Sequence, residues 1–372
     1  MRKKSYRVHC LAGFGLLAIG WMAAGLGQTP TIVPLSKEYV RLGSRVVAIQ
    51  NSTPATDTGA RNPGSIAAYN PIDGYWVIDL NGNFTWDGPA IDRLVFWRYG
   101  DSTHVNVKVY GDWNGDGRTK IGVYSDGIWL LDYNGNNEWD PGVDLIVYFG
   151  GPGYTPVVGD WNGTGWSKIG AYKNTGSDAG TWLLDYNGNF SWDGTGTDKL
   201  LYFGGPDYIP VVGDWNGTGW SKIGAYNNIT PNQGIWLLDY NGNFSWDGTS
   251  IDKNLLFGGP GYTPVVGDWN GKGSSKIGAY NEEFGTWVLD YDGSFDWLRP
   301  PDVFATFGGP GYSPVFGDWN GSGIAKIGVY NKDGTGTWLM DFYLNYILDA
   351  IPPDGRALLG GQGYEPVVGI WQ

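Results

Sequence analysis

The sequence predicts an all-β chain, a six-bladed β-propeller of four-stranded antiparallel blades closed by its C-terminal strand. Three observations carry this. GDWNGTGWSKIGAY at 159–172 returns almost letter for letter at 213–226. Aligning on Gly-Asp-Trp places Asp112, Asp160, Asp214, Asp268 and Asp318 about 50 residues apart, the length of one propeller blade. The 372 residues include 63 Gly, 24 Tyr and 21 Trp, a composition suited to short strands and tight turns rather than helices.

Each unit repeats one order of elements. A PVVGDW run precedes a turn and KIGAY; a variable loop leads to TWLLDY; a second turn, NGNFSWDG, leads to a run such as LLYFGG and the connection PGYTP. The runs are rich in β-branched and aromatic residues and bounded by Gly, Asn, Asp or Pro, as strands are. Strands of the KIGAY type begin near Ile66, Ile121, Ile169, Ile223, Ile277 and Ile327, which counts six blades. Four strands alone leave their faces uncovered, so the units must stack around an axis. Residues 366–371, PVVGIW, form one extra innermost strand, and the first unit starts at Gly64 without its own. The last strand therefore completes blade one and removes an open edge. The stretch 38–50, EYVRLGSRVVAIQ, reads as a separate hairpin turning at Gly43; its VVAIQN is the other candidate for the vacant inner place.

The N-terminus joins a basic head, an apolar stretch and small residues before Gln28. Residues 1–27 read as a secretory signal peptide; an uncleaved anchor is the alternative, because Leu11–Gly27 approaches membrane-spanning length. Residues 28–63 are then a linker and hairpin, and 64–372 the propeller. A secreted or extracellular-surface location follows, with no membrane span after cleavage. The single cysteine, Cys10, lies in the leader, so the mature chain has no thiol chemistry. A formal net charge of −13 argues against nucleic acid and anionic membranes as partners and suits cations.

DWNGDG at 112–117 and FGGPG at 149–153 resemble FG-GAP/VCBS-type repeats, the family of the integrin α-subunit propeller and of many secreted bacterial proteins. The resemblance spans roughly residues 64–372. It implies a propeller with calcium in inter-strand loops and a role in adhesion or ligand binding, but no single activity.

A calcium loop needs oxygen ligands at alternate positions of a tight Gly-containing turn. In the first turn Asp112, Asn114 and Asp116 meet this, and the family pattern then wants Asp at position nine. Lys120 stands there, with Lys168, Lys222, Lys276 and Lys326 in later units. The third ligand also fades, to Thr164, Thr218, Lys272 and Ser322. An ammonium beside the carboxylate replaces a cation, so these turns are expected to be Asx turns closed by Asp–Lys pairs.

The second turn is the better metal candidate. Asp185, Asn187, Asn189 and Asp193 occupy positions one, three, five and nine, and the same set recurs as Asp79, Asn81, Asn83, Asp87; as Asp132, Asn134, Asn136, Asp140; and as Asp239, Asn241, Asn243, Asp247. Two carboxylates and two amide oxygens suit a hard divalent ion, and Ca2+ is the candidate cofactor. The competing expectation is a plain hairpin turn at Asn-Gly. Units five and six depart from the pattern, with Leu298 at position nine and Tyr343 at position three.

Antiparallel alternation puts both Asp/Asn turns on one face and the variable loops 173–180, 227–234 and 281–285 on the other, the expected recognition side. Periodic Trp182, Trp236, Trp192 and Trp246 are expected to wedge between blades, with sugar stacking as their other use; Trp166 and Trp220 break the period. His104 is the one histidine beyond the leader, and no nucleophile elbow or phosphate loop is present. The expected function is non-enzymatic: a monomeric binding or adhesion module for an extracellular glycan or protein. A structural surface scaffold and a carbohydrate-active enzyme are the alternatives. A binding module should show a non-repeating aromatic surface, a scaffold near-uniform faces.

Overall fold

A computed structural model describes residues 63–228, 233–297, 300–332, 334–348 and 354–371, with the backbone of Lys37–Leu42 and Arg45–Asn51. The expected leader, residues 229–232 of the 227–234 loop, Leu298 and Asp349 lie outside the described residues. The rest forms six four-stranded sheets, and no helix occurs among the described residues. Blade three shows the pattern, from the axis outward: Tyr154–Gly159, Lys168–Lys173, Thr181–Leu184 and Lys199–Tyr202, each antiparallel to the next.

The ring closes as the repeat predicts. Glu365–Gly369 pairs with Ser65–Asn70 in the register Glu365↔Tyr69 to Gly369↔Ser65 and becomes the innermost strand of blade one. The early hairpin does not take this place. Its two strands pair with each other, and its backbone lies against the innermost strands of blades one to five, on the propeller axis.

The periodic tryptophans fill the blade interfaces. Trp182 and Trp236 of the third strands are 0% exposed, as are Trp113 and Trp161 of the Gly-Asp-Trp runs. Burying such a ring needs a partner for its N–H. Trp182 Nε1 donates to Phe203 O at 3.0 Å, and Tyr172 Oη donates to Gly205 O at 3.1 Å. That second bond depends on Gly204, at φ 89°, where a Cβ would lie 2.9 Å from both Tyr172 Oη and the Ala225 methyl. Blade one has Arg98 at the matching position, and there Tyr69 Oη and Trp76 Nε1 are buried without a partner. Each such orphan costs about 1–3 kcal/mol.

Adjacent blades are also clamped at the first turn. Asp160 N donates to Ser221 Oγ at 3.0 Å, and Ser221 N returns a bond to Asp160 O at 2.8 Å. At the closing seam Ile370 N donates to Thr119 Oγ1 at 2.8 Å. The residue before each KIG strand is therefore Ser or Thr for an inter-blade reason in most blades.

Candidate functional site

In the first turns the lysine ammonium stands where a loop cation would stand. Lys168 Nζ reaches Asp160 Oδ1 at 2.7 Å, Thr164 Oγ1 at 2.6 Å and Trp166 O at 2.9 Å. Lys120 Nζ reaches Asp112 Oδ1 at 2.8 Å, Asp116 Oδ1 at 2.6 Å and Arg118 O at 2.9 Å. Lys222, Lys276 and Lys326 hold Asp214, Asp268 and Asp318 in the same way. An ammonium has three donors; positions one, five and seven supply three oxygens in the turns of Lys120, Lys168, Lys222 and Lys326, and in the Lys276 turn Ser274 supplies both O and Oγ beside Asp268. Burial pulls Lys168, Lys222 and Lys326 below the ordinary lysine range, against the attraction of their aspartates. These turns fit lysine and leave no oxygen set for a metal. Blade one lacks both partners: Ile370 stands in the aspartate position and Ser65 in the lysine position, and Ser65 Oγ instead donates to Asp79 Oδ2 at 2.9 Å.

The second turns gather the residues expected there. Asp185 is buried, with Oδ1 accepting from Gly188 N and Oδ2 from Phe190 N, both at 2.9 Å. Asn187 and Asn189 donate through Nδ2 to Asp193 Oδ2 at 2.8 and 2.5 Å. The same closure joins Asn81 and Asn83 to Asp87, Asn134 and Asn136 to Asp140, and Asn241 and Asn243 to Asp247. Asp79, Asp132 and Asp239 receive the matching backbone donors of Gly82, Gly135 and Gly242. The donor kinds fit a hard divalent ion, but two amide N–H groups already occupy the outer carboxylate. An entering ion competes with them.

Sequence reasoning missed the third carboxylate of this turn. Asp198 Oδ1 accepts from Tyr186 N at 3.0 Å and its Oδ2 accepts from Asp193 N at 2.7 Å; Asp92, Asp144, Asp252, Asp302 and Asp354 are the equivalents, all buried. The signal was legible, since an Asp follows each WD by four or five residues in WDPGVD, WDGTGTD and WDGTSID. Burial, opposed by backbone N–H bonds and aided by the paired aspartate, pushes Asp132, Asp185 and Asp239 up to about 6 and Asp290 to about 7. Above the usual carboxylate range the folded state therefore keeps protons that the unfolded chain has already released. This stabilisation is complete in acid and is lost as pH rises through about 6–7. The melting temperature at fixed ionic strength is expected to be at least about 5 °C higher at about pH 5 than at about pH 8. A flat profile, or one rising with pH, counts against it.

The rim of the ring is not uniform. Outermost strands present alternate side chains outward. In blades one to three these are Leu94 and Phe96, Ile146 and Tyr148, Leu200 and Tyr202, whereas blades four to six replace one of each pair by Asn254, Thr306 or Arg356. Beside these strands lie the second-turn tryptophans. Trp192 packs on Phe149 of the preceding blade at 6.1 Å and Trp246 on Phe203 at 6.1 Å, yet they remain 38% and 41% exposed. They wedge between blades and still offer ring surface. Trp166 and Trp220 are half-buried, packed near Phe190 and Phe244 with their own lysine ammonium 4.3 Å from the ring.

Between blades two and three this architecture opens into a groove of about 650 Å³, lined by Asp126, Tyr148, Phe149, Tyr154, Trp192 and Leu200 among others. The opening has a local cause. Blade two joins its second and third strands by Asp126-Gly127 alone, with φ 47° and 95°, the two-residue turn that left-handed residues allow. Blade three uses residues 174–180 at the same place. A second groove, of about 600 Å³, lies between blades six and one, with Trp86, Arg356 and Leu358 in its lining. His104 stands apart, exposed, with Nδ1 3.1 Å from Asp101 Oδ1.

Comparison with known proteins defines the class first. No protein-family model matches the chain, and no curated protein sequence matches it. Among solved structures, a lectin of Agrocybe aegerita, described for its specific recognition of non-reducing terminal N-acetylglucosamine, is similar with a TM-score of 0.52 and 15% identity, over 81% of this chain and 76% of that one. AztD of Citrobacter koseri, in its apo form, aligns with a TM-score of 0.40 and 11% identity, over 90% of this chain and 98% of that one. The chain is a six-bladed β-propeller, and its likeness to the lectin is one of fold.

Proposed function

We propose that this protein is a secreted, non-enzymatic recognition propeller that binds an extracellular glycan through the aromatic groove between blades two and three, with a protein partner as the second reading. The observation that carries this is the asymmetry of the rim. A scaffold built from equal blades has no use for outer-strand tyrosines, Tyr148 and Tyr202, in blades two and three only, where they stand beside half-exposed Trp192 and Trp246. A pyranose presents an apolar C–H face that stacks on such rings, while its hydroxyls meet the polar edge. The groove is lined by the Asp126-Gly127 turn from the variable-loop side and by Trp192 of the second turn from the other, so it lies on the outer rim between the two faces. Screening the mature protein on a glycan array is expected to give binding that Trp192→Ala reduces at least about tenfold with the melting temperature preserved. Binding that survives Trp192→Ala and Tyr148→Ala, but is lost when the 227–234 loop is shortened, moves the site to the loop face.

Calcium belongs to the proposal as a stabiliser. Asp132, Asn134, Asn136 and Asp140, and their equivalents in blades one, three and four, would hold it. Because it must displace amide donors from Asp140, affinity is weak, about 10⁻⁴–10⁻³ M as in extracellular modules. Millimolar calcium is expected to raise the melting temperature by mass action, and Asp132→Ala with Asp140→Ala to remove more of that gain than Asp112→Ala. A melting curve indifferent to both calcium and EDTA means that hydrogen bonds alone close these turns.

A further inference from the structure

We propose that the groove between blades two and three selects a glycan carrying a free amine, with the ammonium at Asp126 and the sugar ring on Trp192 and Tyr148; this rests on reading that groove as the ligand site. Asp126 is exposed and lines the groove. The turn requires a left-handed residue at 126, where φ is 47°, and Asn or Gly meets that need as well as Asp, so the turn does not demand the carboxylate itself. Asp73, the counterpart in blade one, accepts a bond from Asn70 Nδ2 at 3.0 Å. Asp126 has no ion-pair partner among the described residues. Lys173, which is not part of the groove lining, is held by Asp178 at 2.8 Å, with Nζ 5.5 Å from the Tyr154 ring centroid.

The groove therefore joins an unneutralised carboxylate to aromatic faces, one of them Tyr148, 73% exposed. Ring faces attract cations through their quadrupole, and a charge-assisted bond to a carboxylate is about twice as strong as a neutral one. A net charge of −13 raises the local concentration of cationic ligands. A neutral sugar uses the rings but leaves the carboxylate with only hydroxyl donors. An amino sugar uses both.

The test titrates the mature protein calorimetrically with two probes of one backbone, a β-1,4-glucosamine tetramer and its fully N-acetylated form, in mildly acidic buffer. The free-amine tetramer is expected to bind about tenfold tighter, with a preference that shrinks at high salt. Asp126→Asn is expected to bring the two affinities together, and Trp192→Ala to weaken both. Tighter binding of the N-acetylated tetramer, an unchanged ratio in Asp126→Asn, or no binding of either probe overturns the amine assignment and leaves the wider groove reading standing. Binding of both probes that is unaffected by Trp192→Ala in a folded variant overturns the groove reading itself.

Discussion

Lys168→Met is expected to cost about 3–5 kcal/mol of stability. The pair it breaks is fully enclosed: Lys168 and Asp160 side chains are 0% and 1% exposed. Removing the ammonium leaves Asp160 charged in a low-dielectric site, with only the backbone donors of Thr164 and Gly165, at 3.0 and 2.7 Å, to hold it. The same turn clamps blade three to blade four through Ser221, so the loss reaches the interface as well. Adding Asp160→Asn to Lys168→Met should recover part of the loss, because the uncompensated charge goes with it. A double-mutant cycle in urea reads this as a coupling of about 0.5–3 kcal/mol. Additive losses would mean that the two side chains act separately. Blade one already shows the paired loss, with Ile370 and Ser65 where the other blades have Asp and Lys.

Deleting residues 365–372 is expected to abolish cooperative unfolding. This strand supplies the whole innermost position of blade one, and its Ile370 N bonds Thr119 of blade two. Glu365 also pairs with Lys108, whose side chain is 0% exposed, so the truncation removes a buried ion pair. Without the strand, Ser65–Asn70 becomes an open edge, a template for pairing with other chains. Size-exclusion chromatography should show aggregates, and the melting transition should broaden and fall. A monomeric truncation with an unchanged melting curve would show that the ring is held by the other five interfaces alone. Blade one is the weak link on independent grounds, since the unpartnered Tyr69 Oη, Trp76 Nε1 and Trp371 Nε1 all lie in it.

The fold was legible because a propeller repeats its instructions. Five Gly-Asp-Trp turns, six KIG-type strands and a surplus PVVGIW run carry blade number, strand order and closure in linear form. The lysine at position nine of the first turn was legible for the same reason: an ammonium eight residues past a carboxylate, across one tight turn, has one economical place to go. The second turn was only half legible. Asp185 to Asp193 could be counted off a calcium template, but the choice between amide oxygen and amide nitrogen facing Asp193 is a matter of side-chain rotation, which spacing does not encode. Asp198, which ties the loop from beneath, was spelled in the repeat yet has meaning only once the chain has folded back over it.

The groove lay beyond the sequence altogether. Tyr148 and Trp192 are 44 positions apart and belong to different blades. Periodicity assigns a repeated tryptophan to the blade interface, and Trp192 does pack there on Phe149; how much of its ring stays in solvent depends on the neighbour's loop. A two-residue turn at Asp126-Gly127 leaves that side open, and the longer loop of blade three is placed differently. The sequence by itself determined the ring, its six blades, its closing strand and the lysine-locked turns, because each follows from local patterns repeated in register. Only the tertiary structure decided which aromatic residues meet across a blade boundary and which of them remain open to a ligand, because that depends on packing between segments that are distant in the chain.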